Sequence, residues 1–108
     1  MSAKAVHITD EEDLKTKLKE AGDNLVVIDF FATWCGPCKM ISPKIEEMAA
    51  EMQDVVFLKV DVDECESIAG EYNVSSMPTF VFIKKGERLE QFSGAKRERF
   101  IETVNKFK

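Results

Sequence analysis

The chain has 108 residues, 44% of them apolar and 32% charged, with a formal net charge of −5. That apolar share fills one core, so a single domain over residues 1–108 is expected and a disordered chain is excluded. The acidic balance argues against nucleic acid as a partner, and no apolar run approaches the roughly 20 residues that cross a bilayer. Three cysteines are too few and too unevenly placed for the disulfide framework of a small secreted domain. Met1–His7 shows neither the apolar core of a signal peptide nor an Arg-rich transit pattern. The expected address is therefore cytoplasmic, with the nucleus as a second compartment open to it.

In chain order, Ala5–Ile8 reads as a short strand. Thr9 to Glu12 offers a helix cap followed by acids, and Leu14, Leu18 and Ala21 give that helix a sparse apolar stripe before Gly22 ends it. Leu25–Phe31 is apolar on both alternating faces apart from Asp29, the pattern of a buried central strand. The next helix is expected from the Cys35–Cys38 pair to about Met52, with Ile41, Ile45, Met48, Ala49 and Met52 at helical spacing and a kink at Pro43. Val55–Val62 is a third strand, and Glu64–Tyr72 a short helix. Thr79–Ile83 and Leu89–Phe92 pair as a hairpin through Lys84 to Glu87, and Ala95–Phe107 closes as an amphipathic helix. The order βαβαβαββα implies an α/β domain: parallel pairing, an antiparallel edge from the late hairpin, and helices on both faces of a mixed sheet.

Cys35-Gly-Pro-Cys38 lies directly behind a long apolar strand and opens a helix. There the backbone N–H groups and the helix dipole favour a thiolate on Cys35, and a second thiol one turn later can complete a disulfide exchange. Gly36 is expected to let the backbone turn tightly, and Pro37 to sit where a helix needs no N–H. The competing readings are a zinc half-site and inert buried thiols. Zinc needs four ligands, and the further Cys and His residues, Cys65 and His7, are distant in sequence and unpaired. Cys65 shares a stripe with Ile68, Ala69 and Tyr72 and reads as a small buried apolar residue.

Asp29 interrupts an apolar strand six residues before Cys35, and alternation places it on the face of Val27 and Phe31. A buried carboxyl without a partner tends to hold its proton near neutrality. It is read either as an acid–base group of the dithiol or as a structural aspartate satisfied by backbone donors. Lys59 interrupts the third strand in the same way, and could simply snorkel from a sheet edge. Trp34, beside Cys35 on a loop, reads as an exposed contact plate.

Trp34-Cys-Gly-Pro-Cys-Lys39, with Asp29-Phe30, Pro43, Met77-Pro78-Thr79 and Phe92-Ser-Gly-Ala95 at matching distances, resembles the thioredoxin family over most of the chain. The resemblance implies the thioredoxin fold, with five strands and four helices, and a general protein-disulfide reductase. It implies Cys35 as the exposed nucleophile, Cys38 as resolving thiol, Asp29 as a general base acting through water, and Lys59 as a neighbour that modulates Asp29. It further implies an Asp63 bond to the Trp34 indole and a cis Met77–Pro78 peptide whose Met77 backbone pairs with an extended substrate segment. Gly36, Pro37, Val62, Val74, Gly94 and Ala95 would complete the substrate groove. No cofactor would be bound, the reversible Cys35–Cys38 disulfide being the redox group, and NADPH would act only through thioredoxin reductase. Expected clients are disulfide-containing proteins such as peroxiredoxins and ribonucleotide reductase, and the expected state is a monomer with a weak homodimer open to it. Some animal relatives carry further cysteines where this chain has Tyr72 and Ser76, so a regulatory disulfide of that kind is not expected. The alternative is a redox-gated binding module that regulates partners without turnover.

Overall fold

The computed structural model describes residues 4–108; residues 1–3 of the segment read above for a leader lie outside the described residues. The elements are β1 (Val6–His7), α1 (Glu11–Glu20), β2 (Val26–Phe31), α2 (Gly36–Glu51), β3 (Val56–Asp61), α3 (Glu66–Glu71), β4 (Thr79–Lys84), β5 (Glu87–Ser93) and α4 (Arg97–Phe107). They form one five-stranded sheet in the order β1-β3-β2-β4-β5. β1 and β2 run parallel to β3, while β4 is antiparallel to β2 and β5 to β4. The central position of β2 explains its nearly unbroken apolar sequence, since both its faces are covered.

Alternation along the strands sorts side chains into two cores. Val26, Ile28 and Phe30 of β2 join Leu58, Val60, Val81 and Ile83 beneath Leu14 of α1 and Ile68 of α3. Val27 of β2 joins Phe57, Phe80 and Phe82 beneath Ile41 and Ile45 of α2 and Phe100 and Val104 of α4. Asp29 therefore points toward the α2 side of the sheet. Phe80, Phe82, Phe92 and Phe100 pack there with ring centroids 4.6–6.0 Å apart, anchoring α4 and fixing the hairpin beneath it.

The ends of the elements differ from the sequence expectations for local reasons. Asp10 caps α1, accepting from the Asp13 amide at 2.8 Å, while Asp13 accepts from the Thr9 amide at 2.9 Å. α3 starts later than Glu64 because Glu64 and Cys65 both turn back, their amides bonded to the Asp61 carbonyl. β5 begins at Glu87, earlier than expected, because the turn needs only two residues. Lys85 and Gly86 both have positive φ, 53° and 78°, which matches the twist of the flanking strands. α2 continues through Pro43 to Glu51. Among the described residues no helix is long and apolar enough to cross a membrane.

Candidate active site

Four residues separate the end of β2 from the start of α2, and the chain turns there with the Cys35 amide donating to the Ala32 carbonyl at 3.1 Å. Cys35 is the N-cap of α2. Its backbone is extended (φ −89°, ψ 109°), and its sulfur takes the place usually held by a serine or aspartate oxygen, accepting from the Cys38 amide at 3.2 Å. Negative charge on this sulfur would meet an amide donor and the positive end of a 16-residue helix. Cys35 and Cys38 are joined in a disulfide, with their Cα atoms 5.3 Å apart. Pro37 lies in the first turn, where its missing N–H costs nothing.

Two expectations need correction here. Gly36 does not supply a tight turn: its φ is not in the left-handed region, and a Cβ would meet nothing within 4 Å. The effect of the glycine is to leave the surface beside the dithiol bare. Nor does exposure distinguish Cys35 from Cys38, since the residues are 4% and 6% exposed. Ala32, Phe31, Val62 and Met77 enclose both, and the Cys35 sulfur lies 3.7 Å from the Met77 carbonyl oxygen. The two differ in position instead, Cys35 at the helix cap and Cys38 inside the first turn facing Asp29.

The rim is built from four loops. Trp34 is 67% exposed, and its indole N–H donates to Asp63 Oδ2 at 3.0 Å. Asp63 is itself held by its own amide, which donates to Asp61 Oδ1 at 2.9 Å. The Met77–Pro78 peptide is cis, and the Pro78 carbonyl accepts from the Gly94 amide at 2.8 Å. Val62 and Met77 pack against the dithiol, whereas Val74 packs on the α1/α3 core and Ala95 on the α2/α4 core. Gly94 has φ +103°, a conformation that side chains rarely adopt. Gly94→Ala should therefore cost about 1–2 kcal/mol of stability in urea unfolding, and a variant as stable as the wild type would show that the loop relaxes freely.

Behind Cys38 lies a cavity of about 230 Å³ lined by Asp29, Thr33, Cys38, Lys39, Ser42 and Lys59. That is ample for a water in contact with both Asp29 and Cys38. Asp29 is 4% exposed, and among the described residues its Oδ1 has no hydrogen-bond partner. The backbone donors that a structural aspartate would use do not reach that oxygen. Burial pushes the Asp29 carboxyl up to about 7, against a lowering by the Lys59 charge and with a further rise from Glu46. Lys59 is the cross-strand partner of Asp29 in the β2–β3 register. Its ammonium lies 4.8 Å over the Phe31 ring and 4.0 Å from Glu46 Oε2.

Glu46, Ser42 and Thr33 escape a reading of the sequence centred on the apolar stripe of α2. The signal was the spacing Cys38, Ser42, Glu46, which places all three on one helix face. Cys65 belongs to the core away from α2, where its thiol donates toward the Thr9 and Ile8 carbonyls at 3.6 and 3.8 Å. Burial raises the Cys65 thiol above its ordinary range, with nearby acids adding to the rise. His7 is exposed and lies 3.1 Å from Glu64. Among the described residues no group of three or more His, Cys, Asp or Glu side chains is placed to hold a metal ion.

Comparison with known proteins agrees with this geometry. The thioredoxin family model matches residues 5–106. Thioredoxin of Callithrix jacchus is 49% identical over 100 residues, covering 93% of this chain and 95% of that protein. Thioredoxin of Homo sapiens is 52% identical over 88 residues, covering 82% and 84%. The X-ray structure of Fasciola hepatica thioredoxin superposes with a TM-score of 0.93 at 46% identity, covering 95% of this chain and 99% of that one.

Proposed function

This chain belongs to the thioredoxin family, and from that premise we propose how its residues divide the work of a protein-disulfide reductase. Its fold and its thiol–disulfide oxidoreductase activity are those of the family. In the reaction we assign, the Cys35 thiolate attacks one sulfur of a client disulfide, forms a mixed disulfide and expels the first client thiolate. Asp29, ionised, takes the proton of Cys38 through a water in the shared cavity. The Cys38 thiolate then attacks the Cys35 sulfur, forms the Cys35–Cys38 disulfide and releases the second client thiolate. The client gains two electrons and leaves as two thiolates that take their protons from solvent, while the protein loses the two electrons and Asp29 passes the Cys38 proton to solvent.

The observation that carries this reading is the Cys35–Cys38 disulfide at the N-terminus of α2, its outer sulfur bonded to a helix amide. Trp34, Gly36, Pro37, Val62 and Met77 would form the client surface around it, with Asp63 setting the indole and Val74, Gly94 and Ala95 at the margins. Thioredoxin reductase, drawing on NADPH, would return the disulfide to the dithiol. Clients would be disulfide-bearing proteins, among them peroxiredoxins and ribonucleotide reductase, in the cytoplasm. The protein would act as a monomer.

The test couples insulin reduction to NADPH oxidation in the presence of thioredoxin reductase. The expected result is NADPH consumption that requires this protein, the reductase and insulin together. Insulin reduction with dithiothreitol but none with the reductase would reject the recycling partner. Failure with both reductants, with partner binding intact, would favour the binding module instead.

A further inference from the structure

Disulfide exchange as assigned above leaves Glu46 without a part, although it lies two turns beyond Cys38 on the same face of α2. Both of its carboxylate oxygens are engaged. Oε1 accepts from the Ala5 amide at 3.0 Å, across 41 residues of sequence, and Oε2 lies 4.0 Å from the Lys59 ammonium. The Ala5 bond ties the carboxylate to the segment entering β1, so it is anchored rather than free to swing. Lys59 is also confined, its side chain 23% exposed and its ammonium over the Phe31 ring. It stands beside Asp29 in the β2–β3 register, yet Asp29 Oδ1 lacks a hydrogen-bond partner among the described residues. The ammonium next to Asp29 in register is thus drawn toward a different carboxylate.

We propose that Glu46 is a positioning residue of the exchange reaction: its anchored carboxylate holds the Lys59 ammonium off Asp29, so that the Asp29 carboxylate stays basic enough to take the Cys38 proton. The inference rests on the reading of Asp29 as the base. Charged and titratable groups reach Asp29 from two elements. α2 presents Cys38, Lys39 and Glu46, and β3 presents Lys59; β4 places the apolar Phe80 opposite Asp29. Lys4 and His7 lie farther off, across an adjoining cavity of about 420 Å³ that Glu46 and Lys59 also line. Within this set burial does most to keep the Asp29 proton on, Lys59 opposes it and Glu46 favours it. Without the Glu46 charge, Lys59 is released to favour the ionised Asp29 directly.

The test is a carboxyl-carbon NMR titration of Asp29 in the reduced full-length chain. It compares the wild type with Glu46→Gln, Lys59→Gln and the double variant. Glutamine retains an oxygen that accepts from Ala5, so the change removes charge and keeps the tether. The Asp29 midpoint should fall by about one pH unit in Glu46→Gln and rise in Lys59→Gln. With Lys59 already removed, the effect of Glu46→Gln should shrink to less than about half its size. An unmoved midpoint in Glu46→Gln, or a full effect that persists without Lys59, overturns the proposal. The pH profile of mixed-disulfide resolution separates the two readings. A profile that moves with the midpoint supports both, while one that ignores a moved midpoint overturns Asp29 as base and leaves the Glu46–Lys59 coupling standing.

Discussion

Replacing Cys38 by serine should convert the protein from a catalyst into a covalent trap. Cys35 remains at the helix cap, where the residue 38 amide still faces its sulfur, so attack on a client disulfide proceeds. The serine hydroxyl at position 38 does not displace a thiol from a disulfide, and the mixed disulfide therefore accumulates. Turnover in the insulin assay should fall by roughly three orders of magnitude or more, while mass spectrometry without reductant shows client adducts that dithiothreitol releases. Cys35→Ser should be equally inactive and form no adducts. Serine is a good N-cap, so α2 retains its first-turn acceptor and the loss cannot be ascribed to a frayed helix. Both variants lack the Cys35–Cys38 disulfide, so stabilities are compared with the reduced wild type. Adducts on Cys35→Ser instead of Cys38→Ser would reverse the assigned roles, and adducts on neither would remove the exchange mechanism.

The elements that place these two sulfurs were legible because they rest on local rules. An apolar run with no polar face marks β2 as central, and a period of two puts Asp29 on the side of Val27, where α2 lies. The roles that depend on the surroundings were less legible. Cys35 is buried by Met77 and Val62, residues more than 25 positions away whose approach follows from the sheet order rather than from the motif. Gly36 invites an argument from turn geometry, but its backbone is ordinary, and the bare surface it leaves becomes visible only in three dimensions. Glu46 and Lys59 are two charged residues with no local connection. Their meeting follows from the crossing of α2 over β3; Lys59 read alone suggested a side chain snorkelling from a sheet edge, and the family resemblance pointed only to Asp29 as its neighbour. Patterns along the chain located the cysteine pair and the buried acid. The charge balance among side chains from different elements required the fold.

Asp29→Asn should raise stability and slow resolution, both in a pH-dependent way. The Asp29 carboxyl titrates near 7 in the folded protein against an ordinary value of 3.8, mainly because it is buried. The folded chain therefore binds this proton more tightly than the unfolded chain does. Below pH 3.8 the group is protonated in both states and contributes no difference. As pH rises from 3.8 to about 7, the unfolded state gains ionised Asp29 while the folded state resists it, and stability falls. Above 7 the penalty is complete, at most about 4 kcal/mol by linkage. Asparagine has nearly the same shape and no charge to desolvate. Urea unfolding at pH 8 should accordingly find Asp29→Asn more stable by up to this amount, with the gain vanishing near pH 4. Catalysis should move the other way, because asparagine cannot take the Cys38 proton. Release of the second client thiolate should slow by about 100-fold near pH 7, at the low end of what a positioned base contributes. The wild-type resolution rate should climb with pH through 7, and the variant should lack that rise. A variant that gains no stability at pH 8 would mean that Asp29 ionises at an ordinary pH. A variant that gains stability but resolves as fast as the wild type would leave Asp29 a buried acid with no part in the exchange.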